Sequence, residues 1–227
     1  MLVEKKIPTE GFLRESTSNE NYAYLCQSDP SSGLPSSIKI EIRSSLYHYY
    51  ISHTQSLPSS LAGELTFLIS QIQQKLKHGF GSEENPLLLS LSSHIPSQSG
   101  YLHTIDNLGL NEAIVAASSS KYLSYDRYIR LLASYGTLAF GIPPCEFASA
   151  YWNIQRIRLG SDLSCFDLRD IKKAYVKVIQ EYGKVFPQNP WNQLKGGIEA
   201  LLDSYLALEQ RGIKKDRSLE LVIRASV

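Results

Sequence analysis

Apolar and polar positions repeat along the chain with two different periods, and each period predicts its own kind of element. At residues 38–42, isoleucines alternate with charged side chains, which is the two-residue period of a half-buried strand. The nearly continuous apolar run at 87–91 is typical of a buried strand, and a shorter run at 219–223 indicates a last strand. The chain therefore contains a small sheet.

Other segments carry the three-to-four-residue period of amphipathic helices. A helix is predicted after Pro58, which suits its first turn, and Gly79 is expected to stop it. A short helix is also expected in the aromatic-rich segment 46–53. By contrast, residues 1–35 are expected to be irregular or partly disordered, and residues 92–100 are expected to form a polar turn before a helix-poor link to Leu110.

The second half of the chain is predicted to be mostly helical. Helices are expected at 125–140 and 146–159, and Asp167 can cap a third. Asn189 and Pro190 suit the N-cap and first helical positions of a fourth, which Gly212 can end. Strands that come before a block of helices indicate an α+β fold.

Composition removes several classes of function. The chain has 227 residues, 43% of them hydrophobic and 20% charged, as expected of a globular protein. Its net charge of +1 gives no broad attraction to nucleic acid or anionic membranes. Neither a signal-peptide core nor an apolar run of about 20 residues is present, so a cytoplasmic location without membrane insertion is expected.

A few side chains are candidates for chemistry outside any motif. Cys26, Cys145 and Cys165 are widely spaced, which favours reduced thiols over a zinc knuckle. His94 and His103 could converge, yet no acidic or thiolate ligand accompanies them, so a metal site is not predicted. The tyrosines of the segment 47–50 form either an exposed interaction patch or a half-buried helix edge, and the sequence leaves both open.

Six blocks of sequence together resemble one known family. They are residues 33–35 (G-L-P), 85–90 (N-P-L-L-L-S), 107–111 (N-L-G-L-N), 125–130 (Y-D-R-Y-I-R), 186–194 (F-P-Q-N-P-W-N-Q-L) and 203–205 (D-S-Y). In order and spacing they resemble the ATP-binding N-terminal region of pyruvate, phosphate dikinase, over roughly residues 33–210.

The resemblance implies a fold and a division of the chain. It implies the first lobe of an ATP-grasp fold at 36–111 and 186–227, a helical insert at 112–185 and an irregular segment at 1–35. In the family, this region transfers phosphate from ATP to a histidine on a separate domain. That domain, the pyruvate-binding barrel and the second lobe with its Mg²⁺ carboxylates are expected to be missing from a chain of this length.

The resemblance also places the family's ATP-phosphate contacts at Ser92, Gly100 and Thr104. Ser92 stands at the arginine of the family motif V-R-S-G, and a serine hydroxyl cannot replace a bidentate guanidinium. Residues 97–104 stand at the phosphate loop S-M-P-G-M-M-D-T, of which Gly100 and Thr104 match. Residues 21–29 stand at the loop G-G-K-G-x-N-L but contain neither glycine nor lysine. We therefore expect vestigial phosphate positions, no catalytic residue, no metal site and no bound ATP.

Two functional hypotheses follow. In the first, the chain is a pseudoenzyme, a non-catalytic adaptor that binds a protein partner through its vacated cleft or its helical insert. In the second, it is one subunit of a split pyruvate, phosphate dikinase, and ATP and Mg²⁺ bind when the other pieces are present. The second hypothesis is weakened because residues that belong to this lobe are themselves replaced.

Overall fold

One sheet and seven helices make up the described part of the chain. This computed structural model describes residues 21–27, 38–94, 101–156, 163–212 and 219–226. The strands are β1 (Ala23–Gln27), β2 (Ile38–Ile42), β3 (Gly79–Phe80), β4 (Pro86–His94), β5 (Tyr101–Leu108) and β6 (Glu220–Ser226). The helices are α1 (Ser45–Ser52), α2 (Ser59–Leu76), α3 (Glu112–Ala117), α4 (Lys121–Phe140), α5 (Pro144–Gln155), α6 (Cys165–Glu181) and α7 (Pro190–Gln210). The mixed α+β class and the helical second half are confirmed.

The order of the strands differs from their order in the sequence. β1, β2, β6 and β4 lie side by side with antiparallel pairing, and β5 pairs antiparallel with β4. The two-residue β3 pairs parallel with the start of β4. The last described strand therefore closes the gap between β2 and β4, and the sheet depends on it.

The register gives the sheet two different faces. On one face Ile40, Ile223 and Leu91 lie side by side, and each is fully buried. Helix α7 covers this face, and a Cβ atom at Gly197 would lie 3.2 Å from a methyl carbon of Leu91. The opposite face carries most of the polar side chains of these strands, together with the buried Leu88 and Val222.

The helices build a second layer that is continuous with the same core. α4 packs against β5, α6 and α7, while α5 packs mainly on α6. Buried side chains from the sheet and from all seven helices belong to one hydrophobic cluster. The helical block is thus fixed to the sheet through α4 and α7, and α5 forms its outer edge.

Several predicted elements are confirmed with small shifts of their ends. The strand at 38–42 and the helices around 46–53, 125–140 and 146–159 are present, although residues 157–162 lie outside the described part. Asn189 caps α7, because its side-chain oxygen accepts hydrogen bonds from the backbone N–H groups of Trp191 and Asn192 at 2.9 and 3.2 Å. Pro190 follows as the first helical residue.

The caps of two other helices differ from the prediction. Ser164 is the N-cap of α6, and Asp167 is its capping-box partner, accepting from the Ser164 backbone N–H at 2.8 Å. Helix α2 begins after Pro58 and ends at Lys77, whose φ of 56° is left-handed. Gly79 does not stop the helix but begins β3. In α6 the side chain of Ser164 caps the helix in place of Asp167. In α2 the left-handed backbone of Lys77 ends the helix before Gly79 is reached.

Strands occupy two stretches in which none was predicted. Ala23–Gln27 forms β1 inside the N-terminal segment that was expected to be irregular, because it pairs with β2. Residues 92–94 continue β4, and Tyr101–Leu108 forms β5 in place of a helix-poor link. Neither strand has a clear local pattern, because β1 is short and flanked by polar, turn-forming residues in the sequence, and half of the residues of β5 are polar.

Candidate functional site

The candidate site is the sheet face opposite α7, called here the polar face. Strand alternation and register bring its members together from five strands, although they lie far apart in the sequence. Its described side chains are Tyr24, Cys26, Lys39, Glu41, Ser90, Ser92, Thr104, Asp106 and Arg224.

Ser92 and Thr104, two of the predicted phosphate positions, form a side-chain pair. They are direct partners across β4 and β5, and their hydroxyl oxygens lie 3.0 Å apart. Ser92 is only 2% exposed. The hydroxyl of Ser92 is therefore buried and already hydrogen-bonded within the sheet.

A second pair ties the same two strands together closer to the helical block. The Ser90 hydroxyl donates a short hydrogen bond to a carboxylate oxygen of Asp106. The β4–β5 register shifts between Leu89 and Leu91, where Asn107 adopts a positive φ of 63°. The bulge leaves Asp106 as an exposed acceptor opposite Ser90, and that carboxylate neutralises no cation among the described ion pairs.

The third cluster of the polar face lies on β1 and β2 around Glu41. The Tyr24 hydroxyl donates to Glu41 at 2.5 Å, and the Lys39 ammonium forms a short ion pair with the same carboxylate. Burial alone would raise the pKa of Glu41, but these hydrogen bonds outweigh it and hold the pKa below its usual range. Burial, and then the Glu41 charge, raise the pKa of Cys26. The ammonium group of Lys39 is thus already paired with a carboxylate of the protein itself.

The structure describes only some of the remaining residues that the sequence predicted for the site. Gly100 and residues 28–35 and 95–99 lie outside the described residues. His94 ends β4, and His103 lies on the neighbouring strand β5, with its backbone N–H donating to the Ser93 hydroxyl at 3.1 Å. Among the described residues, no three His, Cys, Asp or Glu side chains are arranged to hold a metal ion.

Two groups of the described polar face bear on phosphate binding, the hydroxyl of Ser92 and the ammonium of Lys39. Phosphoryl-transfer sites place cations on the phosphates and carboxylates on Mg²⁺. Here the hydroxyl of Ser92 is buried against Thr104, and Lys39 is paired with Glu41. The arrangement can hydrogen-bond across strands, but none of these groups presents an unpaired positive charge to a phosphate.

Three of the family-like sequence blocks meet at one side chain, Gln188. Its carbonyl oxygen accepts from the Glu112 N–H at 2.9 Å, and its amide nitrogen donates to the Tyr128 hydroxyl at 3.1 Å. Its backbone carbonyl accepts from the Asn111 side chain at 3.1 Å, while Asn111 also caps α3. Sequence reasoning missed this role, although the presence of Asn111, Tyr128 and Gln188 in separate motif blocks was a signal for it. The blocks therefore support the fold.

Tyr47 and Tyr50 of α1 are core residues, whereas Tyr49 is half-buried against the core. Tyr47 and Tyr50 are buried, and Tyr47 packs edge-on against Tyr205 with ring centroids 5.0 Å apart. Their hydroxyls donate to carboxylates of α7, from Tyr50 to Asp203 at 2.8 Å and from Tyr47 to Glu209 through a short bond. The interaction-patch alternative is therefore wrong for these two residues.

Two further findings concern the membrane-spanning capacity of the helices and the burial of two tyrosines at α6. Within the described ranges, none of the helices has the length and apolar character needed to cross a lipid bilayer. Of two tyrosines at α6, Tyr175 is buried, whereas Tyr182, which follows the helix, is 43% exposed and its hydroxyl lies 3.5 Å from a Glu146 carboxylate oxygen.

Comparison with known proteins confirms the family resemblance. No family model matches the chain. A chloroplastic pyruvate, phosphate dikinase of Flaveria trinervia is 32% identical over 164 residues, covering 69% of this chain and 17% of the relative. The Rickettsia bellii enzyme of the same name is 32% identical over 174 residues, covering 73% and 20%. That of Entamoeba histolytica is 28% identical over 183 residues, covering 77% and 21%. The chain thus spans about a fifth of the length of these relatives.

Proposed function

Because this chain is homologous to a part of pyruvate, phosphate dikinase, we propose that it is a non-catalytic interaction protein built on the dikinase ATP-binding scaffold. In this proposal the sheet with α7 is a first ATP-grasp lobe, and α3 to α6 form its helical insert. The protein acts by binding another protein and transfers no phosphate.

The observation that carries the proposal is the buried pair of Ser92 and Thr104. Phosphoryl transfer depends on fixed positive charge around the moving phosphate, and loss of one such contact costs about 3 kcal/mol of transition-state stabilisation. At the position of the family's arginine this chain has a hydroxyl that is 2% exposed and bonded to Thr104. Ser92 therefore offers no positive charge to a phosphate.

Exposed apolar side chains on the helical block support an interaction role. Trp152, Phe166 and Val185 are 62, 68 and 84% exposed. They belong to α5, the start of α6 and the segment after α6. Large aromatic side chains are enriched where proteins bind each other, so these residues favour a protein partner.

Calorimetry with ATP and Mg²⁺ at millimolar concentration tests the loss of nucleotide binding. We expect no binding heat that arises from the polar face of this chain, while a complete pyruvate, phosphate dikinase measured in parallel binds. Micromolar affinity at the polar face would contradict the proposal, because it requires phosphate contacts that Ser92 and Thr104 do not supply.

Affinity capture from the native organism tests the interaction role. The double variant Trp152→Ser with Phe166→Ser is compared with the wild-type chain and with Phe67→Ser. Phe67 is 53% exposed on α2, so its variant controls for a general loss of surface hydrophobicity. We expect a partner that the double variant loses and the control keeps. Equal capture by all three chains would argue against the helical block as the binding region.

A split dikinase is the second candidate function. It is favoured because similarity to enzymes named pyruvate, phosphate dikinase extends over 69 to 77% of this chain. Under this alternative, separately encoded pieces complete the ATP site. Mixing the purified chain with those pieces would restore AMP formation from ATP, phosphate and pyruvate, and the adaptor proposal would then be wrong.

A further inference from the structure

A cleft of about 730 Å³ runs along the exposed side of α1, outside the polar face. This volume lies within the range of small-molecule sites. The described residues that line it include Arg43, His48 and His53 but neither Asp nor Glu. We call it the α1 cleft, and its described lining carries positive or neutral groups alone.

The pattern of α1 explains why this side stays open. Leu46, Tyr47 and Tyr50 are buried toward the core. Ser45, His48 and Ser52 recur at helical spacing on the opposite side and are exposed. Asn21, which precedes β1, contributes a side-chain amide to the lining. The cleft therefore offers several hydrogen-bond donors and acceptors on one rigid element.

Arg43 is held in place without being neutralised. Its guanidinium carbon lies 5.0 Å from the centroid of the Tyr24 ring, and the Tyr24 hydroxyl is anchored on Glu41. Among the described residues, no ion pair joins Arg43 to a carboxylate. Glu41, which accepts from Tyr24, is paired with Lys39 instead. An exposed guanidinium in this state can use its planar donors on an anion.

The two histidines are oriented in the same way. Nδ1 of His48 lies 2.9 Å from the carbonyl oxygen of Ser44, and Nδ1 of His53 lies 3.0 Å from that of Tyr49. Each Nδ1 thus lies within hydrogen-bond distance of a backbone carbonyl oxygen, and Nδ1 of His53 also lies 2.9 Å from the Ser52 hydroxyl oxygen. The His53 ring also stacks on Tyr49 at 3.8 Å, which limits its rotation.

We propose that the α1 cleft binds the phosphate group of a small soluble molecule. The anionic oxygens accept hydrogen bonds from Arg43, Asn21 and the serine hydroxyls. The imidazole rings of His48 and His53 add further hydrogen-bonding nitrogen atoms to the lining. A phosphate is matched better than a plain carboxylate, because the cleft combines a guanidinium with several hydroxyl, amide and imidazole groups that more than two anionic oxygens can use.

Titration of the ¹⁵N-labelled full chain with pyrophosphate tests the site by NMR. We expect saturable shifts of the backbone signals of residues 43–53. Arg43→Gln should weaken the affinity about tenfold, the change expected when one charge-assisted hydrogen bond is lost. Arg130→Gln is the matched control, since Arg130 is exposed and already paired with Asp126 at 3.0 Å. Its affinity should equal that of the wild-type chain.

Two results would overturn the proposal. One is the absence of saturable shifts, or an affinity that is unchanged in Arg43→Gln while circular dichroism confirms its fold. The other comes from a parallel titration with Zn²⁺: binding that needs His48 but not Arg43, without any response to pyrophosphate, would make the cleft a metal site.

The outcome is separable from that of the proposed function. ATP carries phosphates and can bind in the α1 cleft without using the polar face. A calorimetric signal with ATP that Arg43→Gln abolishes belongs to this cleft and leaves the adaptor proposal intact. A signal that survives in Arg43→Gln belongs elsewhere and counts against the proposed function.

Discussion

The side-chain oxygen of Gln193 accepts a hydrogen bond from the backbone N–H of Gly109 at 2.9 Å, in the centre of the molecule. The amide nitrogen of Gln193 donates to the carbonyl oxygens of Leu110 and Pro187, both at 2.8 Å. Gln193 has 0% exposure. One buried amide therefore joins the segment after β5 to the start of α7, which are two of the blocks that resemble the dikinases.

Replacement of Gln193 by leucine is predicted to destabilise the fold strongly. Gln193→Leu keeps the volume of the side chain but leaves a buried N–H donor and two carbonyl acceptors without their partner. Each unsatisfied group costs between about 1 and 3 kcal/mol, so a loss of about 3 kcal/mol in the free energy of unfolding is expected. Urea denaturation measures it. Gln180→Leu, at an exposed site on α6, should change stability by less than about 0.5 kcal/mol.

Gly109 and Gly63 are predicted to respond to alanine in opposite directions. Gly109 has a φ of 106°, and a Cβ atom there would lie 2.9 Å from the Phe80 ring and 3.0 Å from the Leu87 carbonyl oxygen. Gly109→Ala should therefore cost about 2 to 3 kcal/mol through strain and collision. Gly63 lies in α2, and a Cβ atom added there would meet no other atom within 4 Å. Gly63→Ala should stabilise by up to about 1 kcal/mol.

Thermal or urea unfolding of both variants checks the pair. An equal effect of the two substitutions would contradict the role assigned to the backbone of Gly109. Each substitution lowers the conformational entropy of the unfolded chain, and this contribution has the same sign at both positions. The difference between the two variants in free energy of unfolding therefore reports the folded state.

Stability is predicted to fall at alkaline pH because of buried tyrosines. Burial raises the pKa of Tyr128, Tyr135 and Tyr175 from 10.0 to about 12 in each case. Their stabilising contribution is complete below about pH 10, where the unfolded chain also keeps these protons. It is lost as the pH rises from about 10 toward 12, because the unfolded state ionises first.

Urea unfolding at several pH values between about 8 and 11 measures this decline. Tyr135→Phe should make the decline shallower, whereas Tyr122→Phe, at a site that is 53% exposed, should leave its slope unchanged. A decline of the same slope in all three chains would assign the alkaline sensitivity to other groups.

Cysteine reactivity is predicted to differ between the sheet and the helical block. Burial, followed by the charge of Glu41, raises the pKa of Cys26, whereas Cys145 is exposed on α5. At about pH 8 an alkylating reagent should therefore modify Cys145 well before Cys26, because the thiolate is the reactive form. Glu41→Gln should accelerate the reaction at Cys26 and leave that at Cys145 unchanged. Peptide mass spectrometry follows both rates, and faster labelling of Cys26 in the wild-type chain would contradict the prediction.

The candidate site was only partly accessible to sequence reasoning. The resemblance predicted Ser92 and Thr104 as phosphate-binding positions, and the structure pairs their hydroxyls across β4 and β5. Their burial, and the commitment of Lys39 to Glu41, could not be anticipated, because both depend on the neighbouring strands. The sequence left open whether Tyr47 is exposed or half-buried, and its hydroxyl donates to Glu209, 162 positions further along the chain.

The sequence by itself determined the elements whose signals are local. The isoleucine alternation defines β2, and Asn189 with Pro190 defines the start of α7, because side-chain period and capping act within a few residues. Only the tertiary structure decided which strands became neighbours. β6 lies between β2 and β4, and β1 and β5, which lack a clear local strand pattern, became strands through pairing with β2 and β4. Such pairing depends on contacts between remote segments and on the burial they create together, and a local pattern carries no record of either.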